Sequence, residues 1–386
     1  MDEGISDVTL ENDDGLVKYV DIPVPYTIYM DDANNLAENV KTAQERNEKV
    51  EQMLEGKLLY VNFGKSNFIV IGSTNARKKI KRNLETNHLK LGNKELKEVE
   101  VTKYLGDFIM NHLGEAVHKT VMNRLGIVKQ AIYEIRTVVE DRRASSIGGI
   151  NLAFDLWNSA VLPMLLHNGE SWVEMLPKTY KVLNDVFLKF LRTIFRIGAG
   201  CPIMILYWDS ASLKPHHHLL QMKLIFIHHL HHLPDSSLAK MTYIRQVSEE
   251  LPGLIQENRQ HLEQIDFENT KSLSKWTFRK LVKKYVRDIC KQELLEDCKK
   301  YKKLKYESLS REEFKRRDYF NELNLAQVRD RLRLRAEMFG DLKGSFPSKY
   351  RKIGVSLKCT LCTKLVNSSN NLDITSEQNT ENFVCK

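Results

Sequence analysis

Apolar and polar positions follow several distinct rhythms along the 386-residue chain, and those rhythms divide it. Residues 1–20 are polar and include Asp2, Glu3, Asp7, Glu11, Asp13 and Asp14, the pattern of a flexible acidic arm. Two prolines then lead into the short apolar stretch Val24–Tyr29, which reads as a strand running into Asp31-Asp32. Leu36, Val40, Ala43, Val50 and Leu54 recur at three-, four- and seven-residue steps, which predicts an amphipathic helix over Asn34–Leu54 closed by Gly56. Leu58–Phe63 and Asn67–Ile71 read as strands around a Gly-Lys-Ser turn. A basic helix at Ala76–Leu84 and short strands near Leu89–Leu91, Glu98–Val101 and Tyr104–Ile109 follow. Residues 21–112 are thus expected to form an α+β unit with a small antiparallel sheet.

Beyond residue 113 the period is helical. Val121, Leu125, Val128, Ile132, Ile135 and Val139 mark the apolar face of one long helix, with Arg124, Lys129, Arg136, Arg142 and Arg143 expected elsewhere on it. An apolar run at Ala160–Leu166 closes with His167-Asn168-Gly169-Glu170-Ser171-Trp172, a buried helix ended by a glycine-containing turn. Phe187, Phe190, Leu191, Ile194 and Phe195 form a further core stripe. Seven histidines fall between His216 and His232; an imidazole-rich solvent face is expected, with the i, i+4 pair His228 and His232 as an alternative metal site. Leu251-Pro252-Gly253 marks a boundary between this helical region (113–250) and a second one (251–357). The last segment, 358–386, is rich in Ser, Asn and Thr and reads as mostly disordered.

Charge changes the picture in one place. Residues 271–360 hold 26 Lys+Arg against 12 Asp+Glu, a surplus of 14 that leaves the rest of the chain at −5 for a net +9. A basic third on a mildly acidic body suits a polyanion, most simply RNA or DNA. Lys283, Lys284, Arg316 and Arg317 are the candidate phosphate contacts. Aromatics interleave with these cations, but at helical spacing most are expected in the core, so the basic residues carry the expectation. Six scattered cysteines argue against a disulfide framework, and no apolar run approaches a membrane span. An intracellular, soluble protein without a membrane partner is expected; nucleus and cytoplasm are not distinguished, and protein partners are unknown.

The Asp31-Asp32 pair is the chemical centre of the sequence. Adjacent aspartates, whose Cα atoms lie about 3.8 Å apart, carry carboxylates that repel one another and resist burial. They become favourable beside a hard divalent cation such as Mg²⁺. A turn that also caps a helix is the bland alternative.

Tyr29-Met30-Asp31-Asp32, Gly64-Lys65-Ser66-Asn67-Phe68-Ile69-Val70-Ile71-Gly72 and Tyr104-Leu105-Gly106-Asp107 occur in the order found in reverse transcriptases. The set resembles the C-terminal part of the palm of a non-LTR (LINE-type) retrotransposon polymerase, and the apolar run ending in Gly-Glu-Ser-Trp extends the likeness to a helical thumb. The resemblance implies an RNA-directed DNA polymerase in which Asp31 and Asp32 hold Mg²⁺, with Mn²⁺ as a substitute, and Lys65 lies near the leaving pyrophosphate. Tyr29, Met30, Tyr104, Leu105 and Gly106 would then meet the primer. Met30 stands where this class more often has a small residue.

The family also has fingers and a further metal-binding aspartate before the Asp pair. Only 28 residues precede Tyr29 here, so the catalytic site is expected to be incomplete and the chain inactive alone. A nucleic-acid-binding module derived from a retroelement, with no polymerase chemistry, is the alternative. In the tail, Cys359, Cys362 and Cys385 supply three of the four ligands of a closed zinc knuckle, and no histidine follows His261. Any zinc site there is expected to be incomplete.

Overall fold

A computed structural model describes residues 26–29, 32–56, 61–141, 149–197, 203–299 and 313–335. These are mainly helical, with small two-stranded sheets confined to the first third, an α+β arrangement. Met30, Asp31, Cys359, Cys362 and Cys385 lie outside the described residues.

β1 (Tyr26–Tyr29) pairs antiparallel with β2 (Asp32–Asn35), with Tyr29 opposite Asp32. The helix expected from Asn34 starts later, as α1 (Val40–Glu55), where the Asn39 side chain accepts from the Thr42 N–H at 2.9 Å. Both asparagines suit a helix start, but pairing with β1 draws Asn34 and Asn35 into a strand. Asn35 Nδ2 then donates to Asn47 Oδ1 at 2.8 Å, which ties the hairpin to α1.

β3 (Asn67–Phe68), α2 (Thr74–Thr86), β4 (Lys90–Leu91), β5 (Lys94–Glu95), β6 (Lys97–Glu98), β7 (Val101–Tyr104) and β8 (Asp107–Met110) follow. Among the described residues they do not merge into the single antiparallel sheet expected. β4–β5 and β7–β8 are antiparallel hairpins, whereas β3 and β6 pair in parallel. Two-residue strands such as Lys-Glu have no continuous apolar face with which to build a wider sheet.

α3 (Leu113–Glu140) buries Val117, Val121, Leu125, Val128, Ile132, Ile135 and Val139 along one face, as the period predicts, and begins eight residues before Val121. Its second residue, Gly114, sits so close to the loop after Trp172 that a Cβ there would lie 2.3 Å from the Glu174 carbonyl oxygen. α4 (Gly149–Leu156) widens into a π-turn at Trp157–Val161 before α5 (Leu162–Leu165). Pro163 offers no N–H to the preceding turn, which accounts for the widening.

Then come α6 (Pro177–Phe195), α7 (Ile203–Ser210), α8 (Pro215–His231), α9 (Leu238–Ser248), α10 (Leu254–Glu257), α11 (Arg259–Gln264), α12 (Phe267–Thr270), α13 (Lys275–Lys299), α14 (Tyr319–Glu322) and α15 (Leu325–Arg335). The main core joins α3, α4, α6 and α7, with Trp157 packed on Phe187 and Phe190 at centroid distances of 4.9 and 4.6 Å. Phe320, Val328 and Leu332 close it from the C-terminal side. A second core joins Leu224 and Ile227 of α8 to Leu254, Leu262, Phe267, Phe278, Val282 and Val286.

Both cores cross the division expected at 250/251. The first half of α13 lies in the second core, while Cys290, Leu294 and Cys298 of its second half lie in the main one. No described helix is long and apolar enough to cross a membrane.

Candidate functional site

The β7–β8 hairpin is the best-anchored of the sequence motifs. Its turn, Leu105-Gly106, has φ of 48° and 91°, the double positive φ that matches the twist of a two-residue hairpin. Glycine takes this conformation freely, whereas leucine does so at a cost of about 1–2 kcal/mol. Asp107 follows at the start of β8, and its carboxylate is held from two sides. Arg124 Nη2 lies 2.5 Å from Oδ1, and Asn168 Nδ2 donates to Oδ2 at 2.9 Å.

Arg124 is buried on α3, not on the outer surface expected of its charge. Its Nη1 donates to the carbonyls of His167 at 2.8 Å and Leu165 at 3.3 Å, and its guanidinium lies over the Trp172 ring at 5.5 Å. Burial pushes its pKa below the usual arginine value, and Asp107 opposes that shift. The Phe108 N–H donates to Thr120 Oγ1 of α3 at 2.9 Å. Tyr104–Asp107 and His167–Trp172, two motifs far apart in sequence, therefore meet on one side chain. The sequence signal for its burial is its spacing, three residues after Val121 and four before Val128, which puts it within the apolar stripe.

The other expected positions are scattered. Tyr29 and Asp32 close the β1–β2 register. Lys65 is exposed in a turn whose backbone bonds run back to Asn62, and no described contact joins it to either hairpin. Arg316 and Arg317 face the body of the protein. Arg316 donates to Asn151 Oδ1 at 2.9 Å and lies 4.7 Å over the Phe154 ring, and burial lowers its pKa. Arg317 Nε is 3.5 Å from Oδ1 of the fully buried Asp209, whose other oxygen accepts from the Tyr319 hydroxyl at 2.8 Å. Both arginines pin residues 313–323 onto α4 and α7.

α13 is different. Lys275, Arg279, Lys280, Lys283 and Lys284 are exposed with no acidic residue among them, whereas Arg287, next in the run, donates Nε to the Phe314 carbonyl at 3.2 Å and lies over that ring at 5.4 Å. Trp276 is 67% exposed at the start of the same helix, with Lys280 Nζ over its ring at 3.2 Å. Phe278, Phe314 and Phe320 are buried, as expected of aromatics at helical spacing, and Tyr285 and Tyr319 are half-buried, so among the described aromatics of this region Trp276 is the exposed one. An exposed indole among uncompensated cations has the chemistry to stack a base while the cations meet phosphates.

α8 does not present the imidazole-rich solvent face expected of it. It packs against α6, α9 and α13, so of the seven histidines only His229 and His232 are exposed; His217 and His228 are buried. The alternative of a His228–His232 metal pair is also not what these rings are doing. His228 Nε2 donates to the Leu273 carbonyl at 3.0 Å and the ring stacks on Phe278 at 4.1 Å. His232 Nδ1 donates to the His228 carbonyl at 2.9 Å.

Compared with protein-family models, curated proteins and solved structures, the chain matches none.

Proposed function

We propose that the chain binds nucleic acid through the basic face of α13 and that it descends from the palm and thumb of a non-LTR reverse transcriptase. The observation that carries the binding is the run Lys275, Arg279, Lys280, Lys283 and Lys284, exposed around an exposed Trp276. In support of the descent, the Tyr104–Asp107 hairpin and the Gly-Glu-Ser-Trp turn, which the family places in palm and thumb, are joined by Arg124.

The test is fluorescence anisotropy with single-stranded RNA and DNA across a salt series. Each phosphate contact contributes about 0.7 to the slope of log affinity against log salt on single strands. Changing Arg279, Lys280, Lys283 and Lys284 to Gln together should flatten that slope by roughly 2–3 and weaken binding at least tenfold. Trp276→Ala should weaken it at all salt concentrations without changing the slope. A quadruple variant with the wild-type slope would remove α13 as the interface.

Polymerase chemistry is a second reading, favoured by one observation: Asp32 closes the register of a tight antiparallel hairpin opposite Tyr29. Asp31 and Asp32 would be the Mg²⁺ or Mn²⁺ ligands. Among the described side chains, no group of three His, Cys, Asp or Glu donors lies at either hairpin. Primer extension on an RNA template, abolished by Asp31→Ala, would establish this chemistry. Template binding without extension would leave α13 binding as the function.

A further inference from the structure

We propose that His216, His217 and Glu293 form a binding site for a divalent transition-metal ion, with zinc the best suited. This is independent of nucleic-acid binding and of the polymerase resemblance. His216 and His217 lie in the first turn of α8, and Glu293 comes from the second half of α13. One donor atom from each lies within 4.8 Å of the others. His216 Nε2 is 3.5 Å, and His217 Nε2 3.2 Å, from the same Glu293 oxygen. A tetrahedral zinc ion with bonds of about 2.0–2.1 Å separates its ligand atoms by about 3.3 Å.

His217 provides the second, independent observation. It is 1% exposed, yet neither ring nitrogen has a hydrogen-bond partner. Burying an imidazole that way costs free energy that native structures rarely leave uncompensated. Its close approach to Glu293 is misaligned for an N–H donor. Such a misalignment is what a tetrahedral ion requires, because the ligand lone pair points about 35° off the line between two donor atoms.

The surroundings fit the same ion. His216 Nδ1 lies 3.0 Å from Asn184 Oδ1 on α6. Donating the Nδ1 hydrogen there turns Nε2 towards the Glu293 carboxylate, either as the N–H of an imidazolium or as a bare nitrogen free to ligate an ion. Metal-bound histidines commonly have such a partner, which fixes the tautomer and the ring orientation. Lys214 Nζ, 3.3 Å from the same Glu293 oxygen and 3.7 Å from Asp297, is the competing cation. With an ion bound, its ammonium would be left to Asp297. Three protein ligands leave the fourth position to water, and the ion would fasten the start of α8 to α13.

The experiment uses the full chain with Cys359, Cys362 and Cys385 changed to Ser, so that tail thiols cannot contribute. After removal of bound metal with a chelator, Zn²⁺ is titrated calorimetrically and Co²⁺ by visible absorption. One equivalent should bind, with the intense visible bands of tetrahedral Co²⁺. Glu293→Gln or His216→Ala should abolish it, and Asn184→Ala should weaken it roughly tenfold to a hundredfold. Lys214→Met should tighten binding by removing the competitor. If Glu293→Gln or His216→Ala proves unfolded by circular dichroism, Asn184→Ala and Lys214→Met decide. Absence of the cobalt bands overturns the site, as does binding that survives Glu293→Gln. So does an affinity that neither Asn184→Ala nor Lys214→Met changes.

Discussion

Replacing Arg124 with methionine tests whether the β7–β8 hairpin is held to the helical body by one side chain. Methionine keeps much of the length and apolar bulk while removing every donor. Arg124 is 10% exposed and Asp107 22%, so the pair sits largely out of water. Removing one partner of a buried pair costs about 3–5 kcal/mol, because the remaining charge is left uncompensated. Here Asp107 keeps Asn168 and some solvent, which moderates the loss. The Leu165 and His167 carbonyls lose their donor as well, at about 1 kcal/mol each. These contributions overlap, and the expected total is about 3–4 kcal/mol.

Arg124→Lys keeps the charge but cannot reach carboxylate and carbonyls at once, and should cost about 1–2 kcal/mol. Urea unfolding at neutral pH measures both variants, and a cycle with Asp107→Asn measures their coupling. The double variant should fall short of the sum of the singles by about 1–3 kcal/mol. Hydrogen exchange at the Phe108 amide, bonded to Thr120, should accelerate in Arg124→Met. A midpoint near wild type for Arg124→Met, or strict additivity with Asp107→Asn, would show that the hairpin is held by something else.

Two further perturbations address other parts of the fold. Glu140 is hydrogen-bonded by Arg196, Arg136 and Arg329; burial raises its pKa, but those bonds outweigh it and hold the carboxyl at about 2, against an ordinary value of 4.5. Because the folded value is the lower one, this stabilisation is complete above about pH 4.5 and is lost as the pH falls towards 2; at about 1.4 kcal/mol per unit, less screening by solvent at the exposed Arg136 and Arg196, it amounts to about 2 kcal/mol. Glu140→Gln should therefore lose about 2 kcal/mol at pH 7 and converge on wild type near pH 2, and urea-unfolding curves that stay parallel across that window would contradict the assignment. Leu105→Asn should stabilise the hairpin by about 1 kcal/mol, since asparagine accepts the positive φ that leucine resists; calorimetry showing a lower melting midpoint would mean that the leucine side chain contributes more than the backbone strain it causes.

What the sequence made legible follows from the range of the interaction involved. The apolar face of α3 and the core stripe of α6 are local periodicities, and both are buried as their spacing predicts. The turn at Leu105-Gly106 is local too, but it falls inside the strand expected over Tyr104–Ile109 and splits it between β7 and β8. Arg124 was misplaced on its charge: its partners lie 17 residues upstream and more than 40 downstream, and a helical wheel cannot show them. Arg316 and Arg317 look in sequence like any exposed basic pair. Asp209, the carboxylate that binds Arg317, is hidden in the apolar run of α7 about a hundred residues earlier. β2 was missed for another reason: Asp-Ala-Asn-Asn has little strand preference of its own and becomes a strand by pairing with β1.

The same dependence on long-range packing bears on how nucleic acid would be held. Composition alone suggests a basic appendage joined to an acidic body. α13 is instead a single 25-residue helix shared by two cores: Phe278, Val282 and Val286 are buried in one, and Cys290, Leu294 and Cys298 in the other. Its exposed lysines and arginines are therefore carried on a backbone fixed at both ends. Binding there needs side-chain ordering only, not the folding of a disordered segment, so less affinity is lost to conformational entropy. The buried face and the charged face of α13 are one structural unit. A cavity made in the buried face, for example at Val286, would disturb the spacing of the cations as well as the stability of the cores.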